Sequence, residues 1–260
     1  MNPTHNKEHN AKIADNALFV MCGMNQELGI RQQQVLHDKK WIKFLRRTWI
    51  FRLIPFVDFA LAAGSMATGN VHPDSDFDVI VGAKYGRIFT VRFFCTLAFG
   101  FFGWRRKRMH GSSVNELMGY GQRPRVDAAD KVCLNHFVTD KSYRLSPPHN
   151  AYWRNLYQNL VPIFGDHKKI DWFFSANADW VGEHNYTDDL RHRRICSWVK
   201  KLREYLLGGR FGDWLEKILR NFQIKRIERT LKKDSGYKPR IIYSDEELEF
   251  HPDTRRTEVY

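Results

Sequence analysis

The sequence predicts an α+β chain in which apolar strands and amphipathic helices form a body and a basic helical extension follows. Three observations predict it. Two apolar strands bracket a linker that opens with Gly64-Ser65 and closes with Asp76-Phe77-Asp78. Ahead of them Ile42, Leu45, Trp49 and Leu53 recur at helical spacing. Between Arg191 and Arg240 there are 16 basic residues against 5 acidic, laid over two further helical patterns. The 260 residues suffice to bury a real core. They divide into a polar tail over 1–25, a body over 26–185 and the basic extension over 186–260.

A helix is expected from about Gln33 to Ile54, with Lys43, Arg46 and Arg47 off its apolar stripe and Pro55 stopping it. A strand over 56–63 delivers Gly64-Ser65, and a loop through Asn70, His72 and Pro73 crosses to the strand carrying Asp76 and Asp78. A helix over 87–107 comes next, started by Gly86-Arg87. Arg92 is expected at an exposed or phosphate-facing position on it, and Arg105-Arg106-Lys107-Arg108 at its C-terminus, where cations suit the helix dipole. Its apolar run from Phe93 to Trp104 falls well short of the roughly 20 residues a bilayer span needs.

A Gly-, Arg- and Pro-rich loop over 111–126 leads to a strand from Lys131 to Val138. Tyr152 to Phe164 reads as a helix. In the extension, Ile195, Trp198, Val199, Leu202 and Leu206 mark one amphipathic helix, and Gly208-Gly209 breaks the chain. Trp214, Leu215, Ile218, Leu219 and Phe222 mark a second helix. Ile241 to Tyr243 reads as a short extended piece, and Ser244 to Glu247 as a capping box opening a helical turn.

The chemistry is most legible at 64–78. Side chains at i and i+2 share a strand face, so Asp76 and Asp78 point together while Phe77, Val79 and Val81 enter an apolar layer. Two adjacent carboxylates repel, and a hard divalent cation turns that repulsion into coordination. Gly64 lets backbone approach a ligand without a Cβ in the way, and Ser65 adds a hydroxyl and an amide where a triphosphate would sit.

At Gly64, Ser65, Asp76 and Asp78 the chain resembles the nucleotidyltransferase superfamily typified by DNA polymerase β. The resemblance is sharp over about 56–82; Tyr152 to Asn185 and Phe250-His251 also look like uncharacterised bacterial members. It implies a small mixed β-sheet packed with helices over 26–185. It also implies transfer of a nucleoside monophosphate from an NTP to an acceptor, with Mg²⁺ or Mn²⁺ on Asp76 and Asp78 and nucleotide phosphates, as of ATP, on Gly64 and Ser65. Active members add a third carboxylate on a later strand, commonly assigned as the base. Here the middle of that strand holds Asn135, whose amide can ligate a metal but cannot accept a proton. Asp127 and Asp130 precede the strand, and His136 is expected to face away from Asn135.

The four cysteines, Cys22, Cys95, Cys133 and Cys196, show no metal-ligand spacing and read as reduced residues of a cytoplasmic protein. The polar start lacks the apolar core of a secretory signal. The net charge of +13 favours polyanions. Nucleic acid is therefore expected as a partner of the 191–240 region, with solvation of a helical pair as the plain alternative. Two other readings stay open beside the enzyme: a nucleotide- or nucleic-acid-binding module disabled at Asn135, and an antitoxin-like regulatory protein on the same scaffold.

Overall fold

The computed structural model describes residues 29–106, 128–147, 149–184, 193–194, 198–231 and 240–251. Helix α1 over 29–47 runs into a 3-10 turn at Thr48–Arg52, then strand β1 (Val57–Ala63), the short helix α2 (Gly64–Thr68), strand β2 (Phe77–Ala83) and helix α3 (Ile88–Phe101). Strand β3 (Val132–Val138), helix α4 (Ala151–Gln158), strand β4 (Val161–Gly165) and helices α5 (His167–Ser175) and α6 (Ala178–Val181) follow. The last part comprises β5 (Arg193–Arg194), α7 (Trp198–Leu206), α8 (Gly209–Leu231), β6 (Arg240–Tyr243) and β7 (Glu247–His251).

The strands form one mixed sheet in the order β5-β4-β1-β2-β3-β7-β6. β1 is antiparallel to β2 and β4, and β2 is parallel to β3. Strand alternation sorts the core into two layers. Ala60 and Ala62 of β1 and Val79 and Val81 of β2 pack with Trp41 and Phe44 of α1, Phe89 and Phe99 of α3, and Leu219 of α8. On the other face Phe59, Leu61 and Ile80 meet Trp153 and Tyr157 of α4, Ile170 and Phe173 of α5 and Trp180 of α6. The chain after residue 185 contributes to both edges of this sheet, through β5 beside β4 and the β6–β7 hairpin beside β3.

Several expected elements are corrected. The helix expected from Tyr152 to Phe164 ends at Gln158, and Val161-Pro162-Ile163-Phe164-Gly165 is a strand against β1, buried throughout. An uninterrupted apolar run of that length suits a strand covered on both faces. The helix expected over 87–107 ends at Phe101. Gly103 takes a left-handed φ of 67°, and the amides of Gly103 and Trp104 return to the carbonyls of Gly100 and Phe99. Arg92 is half-buried rather than exposed, its Nη1 2.5 Å from Gln223 Oε1 and its guanidinium over the Phe250 ring. Ser244 does use its hydroxyl to accept from the amides of Glu246 and Glu247, but to close the β6–β7 hairpin rather than to open a helix. The tail over 1–25, the 111–126 loop and Asp127 lie outside the described residues.

Glu216 of α8 locks the extension to the body. It is 9% exposed, and its carboxylate accepts from the amides of Phe89 and Thr90 at 2.9 and 2.8 Å and from the Thr90 hydroxyl at 2.5 Å. These are amides of the first turn of α3, which have no acceptor within their own helix. Burial pushes the Glu216 carboxyl up from its ordinary value, against the pull of those donors.

Candidate nucleotide and metal site

β1 ends at Ala63, which pairs with Asp78 across the sheet, so the chain leaves β1 beside that carboxylate. Gly64 turns there with φ +64°, and a Cβ on it would stand 2.3 Å from Asp78 Oδ2. Ser65 follows in α2, half-buried. The four residues singled out in the sequence, Gly64, Ser65, Asp76 and Asp78, are thus brought to one end of β1 and β2.

Asp76 and Asp78 do share a face. Phe77 and Val79 lie in the core layer under α1 and α3, whereas Ile80, two residues beyond Asp78, lies in the opposite layer. The parallel register sets Cys133 of β3 beside Asp78, and one ligand atom each from Asp76, Asp78 and Cys133 falls within a 4.8 Å cluster. Asn135, expected at the third position, sits two residues farther along β3, half-buried. It lies in the stretch where the pairing shifts between Asp78/Cys133 and Ile80/His136. That irregularity puts His136 opposite Ile80 and therefore on the face of the aspartates. There its Nε2 lies 3.1 Å from Glu247 Oε1, with Glu249 in the same buried cluster.

Arg106 enters the site from outside the two strands. Residues 104–106 run beside β3, the Val132 amide donating to the Trp104 carbonyl and the Arg106 amide to the Val132 carbonyl. This directs the guanidinium to Asp76, with Nη1 2.5 Å from Oδ2 and 3.8 Å from Cys133 Sγ. Burial opposes the charge on Arg106, but Asp76 and, less, Asp78 outweigh it and hold its proton more firmly than usual. The Cys133 thiol is pushed well up, first by burial and then by Asp78 and Asp76, so it is a neutral thiol at physiological pH. Among the described residues Arg106 pairs with Asp76, and the Asp78 carboxylate lies in the same cluster.

The donors fit a hard divalent ion. Two carboxylates supply oxygen ligands of the kind a hard divalent cation takes, and the Cys133 thiol would join them only by giving up its proton. Asp76 would divide itself between the ion and Arg106.

Helix α1 holds the linker that carries Asp76. Lys40, 4% exposed, donates from Nζ to the carbonyls of Pro73 and Ser75 at 2.9 and 3.0 Å and to Asp130 Oδ1 at 2.8 Å. Gln33 donates to the Val71 carbonyl, and the Ser75 hydroxyl accepts from the His72 amide. His72 itself is exposed. The Asp130 amide donates to the Ser75 carbonyl at 3.0 Å, while its carboxylate is engaged by Lys40 and Lys43 and its carbonyl by Arg47, so the side chain is turned to α1. Burial acts to raise the Asp130 carboxyl, but the two lysines win and hold it below the usual carboxylate range.

Cys133, Arg106 and Lys40 were not recognisable as neighbours of the site from sequence. Arg106 read as one cation in a run at a helix end, and nothing in the residues marks the register that selects Cys133. Lys40 had a signal only in hindsight, as a cation three residues from another on a helix whose apolar stripe was already assigned. No protein-family model, no curated protein and no solved structure matches the chain.

Proposed function

We propose that the chain is a divalent-metal-dependent nucleotidyltransferase that moves a nucleoside monophosphate from an NTP to an acceptor and releases pyrophosphate. The observation that carries the reading is the packing of Gly64 on Asp78. A turn with no side chain sets the Gly64 backbone directly against Asp78, so phosphates held by Gly64-Ser65 would lie beside the proposed metal ligands. In this reading Asp76 and Asp78 hold the metal, and the Gly64 and Ser65 amides and the Ser65 hydroxyl take the terminal phosphates. A cation bound there would stabilise the charge that builds on the phosphoryl oxygens. The acceptor oxygen attacks the α-phosphorus in line, its proton passing to solvent water, as the bond from that phosphorus to the bridging oxygen breaks and the electron pair leaves with pyrophosphate. Arg106, already at Asp76, is placed to donate to a phosphate oxygen as the carboxylate turns to the metal.

A second reading is favoured by one feature. Among the described residues the partner that joins Asp76 and Asp78 is the Cys133 thiol, not a third carboxylate. A chain that binds nucleotide without transferring it would present that arrangement.

The test is pyrophosphate release from each of the four NTPs with Mg²⁺ or Mn²⁺, with and without bulk RNA, in the wild type and in Asp76→Ala and Asp78→Ala. Release that vanishes in both variants while the fold persists supports the transferase and names its donor. Release that survives in either variant removes the assignment. NTP binding without release supports the second reading.

A further inference from the structure

We propose that α7 and α8 form a docking surface for anionic lipid bilayers. Both helices present a stripe of large apolar side chains to water. On α7 the polar side is turned inward: buried Lys200 donates to the Val57 carbonyl, Arg203 to the Leu53 carbonyl at 2.6 Å, and Glu204 accepts from the Phe56 amide at 2.8 Å. Its outward stripe is Trp198, Leu202 and Tyr205, with Trp198 76% and Tyr205 83% exposed.

α8 carries a second exposed stripe, although Leu215, Leu219, Ile224 and Ile227 pack on the body. Gly212, Glu216, Leu219 and Gln223, at intervals of four, three and four, face the body and are buried. Phe211, Trp214, Ile218 and Phe222, at three, four and four, face outward and are exposed, with Trp214 at 57%. The same line continues through Lys225 and Arg229, both exposed. A stripe of large apolar side chains in water is unfavourable in proportion to its area. Two consecutive helices that display their indoles and phenyl rings form a surface shaped for a partner.

Charge selects the partner. Lys201, Arg210, Lys217, Lys225 and Arg229 are exposed on these helices, and the whole chain carries +13. Stacking the face on a second copy would oppose those cations to each other. Nucleic acid would satisfy the cations and could stack on the rings, but it offers nothing to the aliphatic Leu202, Leu206 and Ile218. An anionic bilayer satisfies all three classes of side chain. Aliphatic groups enter the acyl boundary, tryptophan and tyrosine sit at headgroup level, and lysine and arginine reach the phosphates along their methylene stems. α7 also borders an apolar cleft of about 650 Å³ lined by Leu53, Phe94, Leu97, Phe101, Phe102 and Leu207, with Arg203 as its cation. That is the lining an amphiphile with an anionic head would select.

The experiment is vesicle flotation with the full chain, comparing phosphatidylcholine vesicles with vesicles that also contain phosphatidylglycerol, and reading tryptophan emission in parallel. The expected result is flotation with the anionic vesicles and a blue-shifted emission. Leu202→Ser/Tyr205→Ser and Phe211→Ser/Phe222→Ser keep Trp198 and Trp214 as reporters and alter only exposed positions; each pair should weaken binding about tenfold or more. Absence of flotation at low ionic strength overturns the proposal, as does flotation that both pairs leave unchanged. Stripe-dependent dimerisation without vesicle binding would assign the face to a second copy. Stripe-dependent retention of RNA without vesicle binding would assign it to nucleic acid. Circular dichroism of each variant verifies that the fold is retained.

Discussion

Gly64 and Asp78 occupy each other's space: a methyl group on the glycine would lie 2.3 Å from the carboxylate oxygen. Gly64→Ala therefore carries two separable penalties. Its φ of +64° strains any L side chain by about 1 kcal/mol, and the new methyl must push Asp78 away from Asp76. Gly69 provides the control, since its φ is +76° but nothing lies within 4 Å of a built Cβ. Gly69→Ala should lose a few degrees of thermal stability, at about 2–4 °C per kcal/mol, and keep its affinity for nucleotide. Gly64→Ala should lose at least as much stability and about tenfold or more in nucleotide affinity, measured by titration calorimetry. Equal nucleotide affinity in the two variants would show that the Gly64–Asp78 contact serves only the fold.

Arg106 competes with any cation for Asp76. Replacing it with glutamine removes a full charge 2.5 Å from the carboxylate while keeping a donor of similar reach. Arg106→Gln should bind Mn²⁺ alone more tightly, by about tenfold, in paramagnetic titrations. Unchanged affinity would mean that Asp76 is not a ligand.

Glu216→Ala leaves two amides and a hydroxyl of the α3 start without their acceptor in a buried place. The expected loss is about 2–4 kcal/mol in urea unfolding. Glu216→Gln, which keeps one acceptor oxygen, should lose less. If alanine and glutamine cost the same, packing rather than hydrogen bonding joins α8 to α3.

Asp130 predicts a pH dependence. Its carboxyl is held down in the folded chain by Lys40 and Lys43, so the fold favours the ionised form. The stabilisation is present above the unfolded value of about 3.9 and is lost as pH falls through the lower folded value. Asp130 also has φ +58°, a conformation asparagine tolerates, so Asp130→Asn removes the charge without straining the backbone. The wild type should melt higher than Asp130→Asn at about pH 6, and the gap should close below about pH 4. A gap that does not change with pH would assign the effect to the backbone contacts of the turn.

What could be read from the residues, and what could not, follows from the range of the interactions. β1, the Gly64 turn and β2 were legible because alternation and a small-residue pair are local patterns. The first helix was legible for the same reason, though expected over 33–54 where α1 spans 29–47 and gives way to a 3-10 turn, as was the break at Gly208-Gly209. β4 was missed because its apolar run abuts α4 and no short pattern separates the two. The turn of Ser244 uses the same hydroxyl-to-amide bonds in a hairpin as in a helix start, so the pattern alone does not choose between them. Cys133 and Arg106 depend on a parallel register and on a return of the chain beside β3, both set by contacts far apart in sequence. The exposed apolar faces of α7 and α8 were the least legible. Leu215, Leu219 and Trp214 all suit a helix, and only the position of the body shows which of them it covers.

The placement of β5 and of the β6–β7 hairpin also has a consequence for the birth of the molecule. Among the described residues, the outer side of β4 has no neighbour until residue 193 has been made, and that of β3 over His136–Val138 has none until about residue 247. A chain still on the ribosome thus exposes two bare strand edges at once, each a template for pairing with another molecule. Its last dozen described residues close one of them. A version cut after residue 185 would keep every aspartate and glycine of the site yet leave both edges open, and its precipitation would report on those edges and not on the chemistry between them.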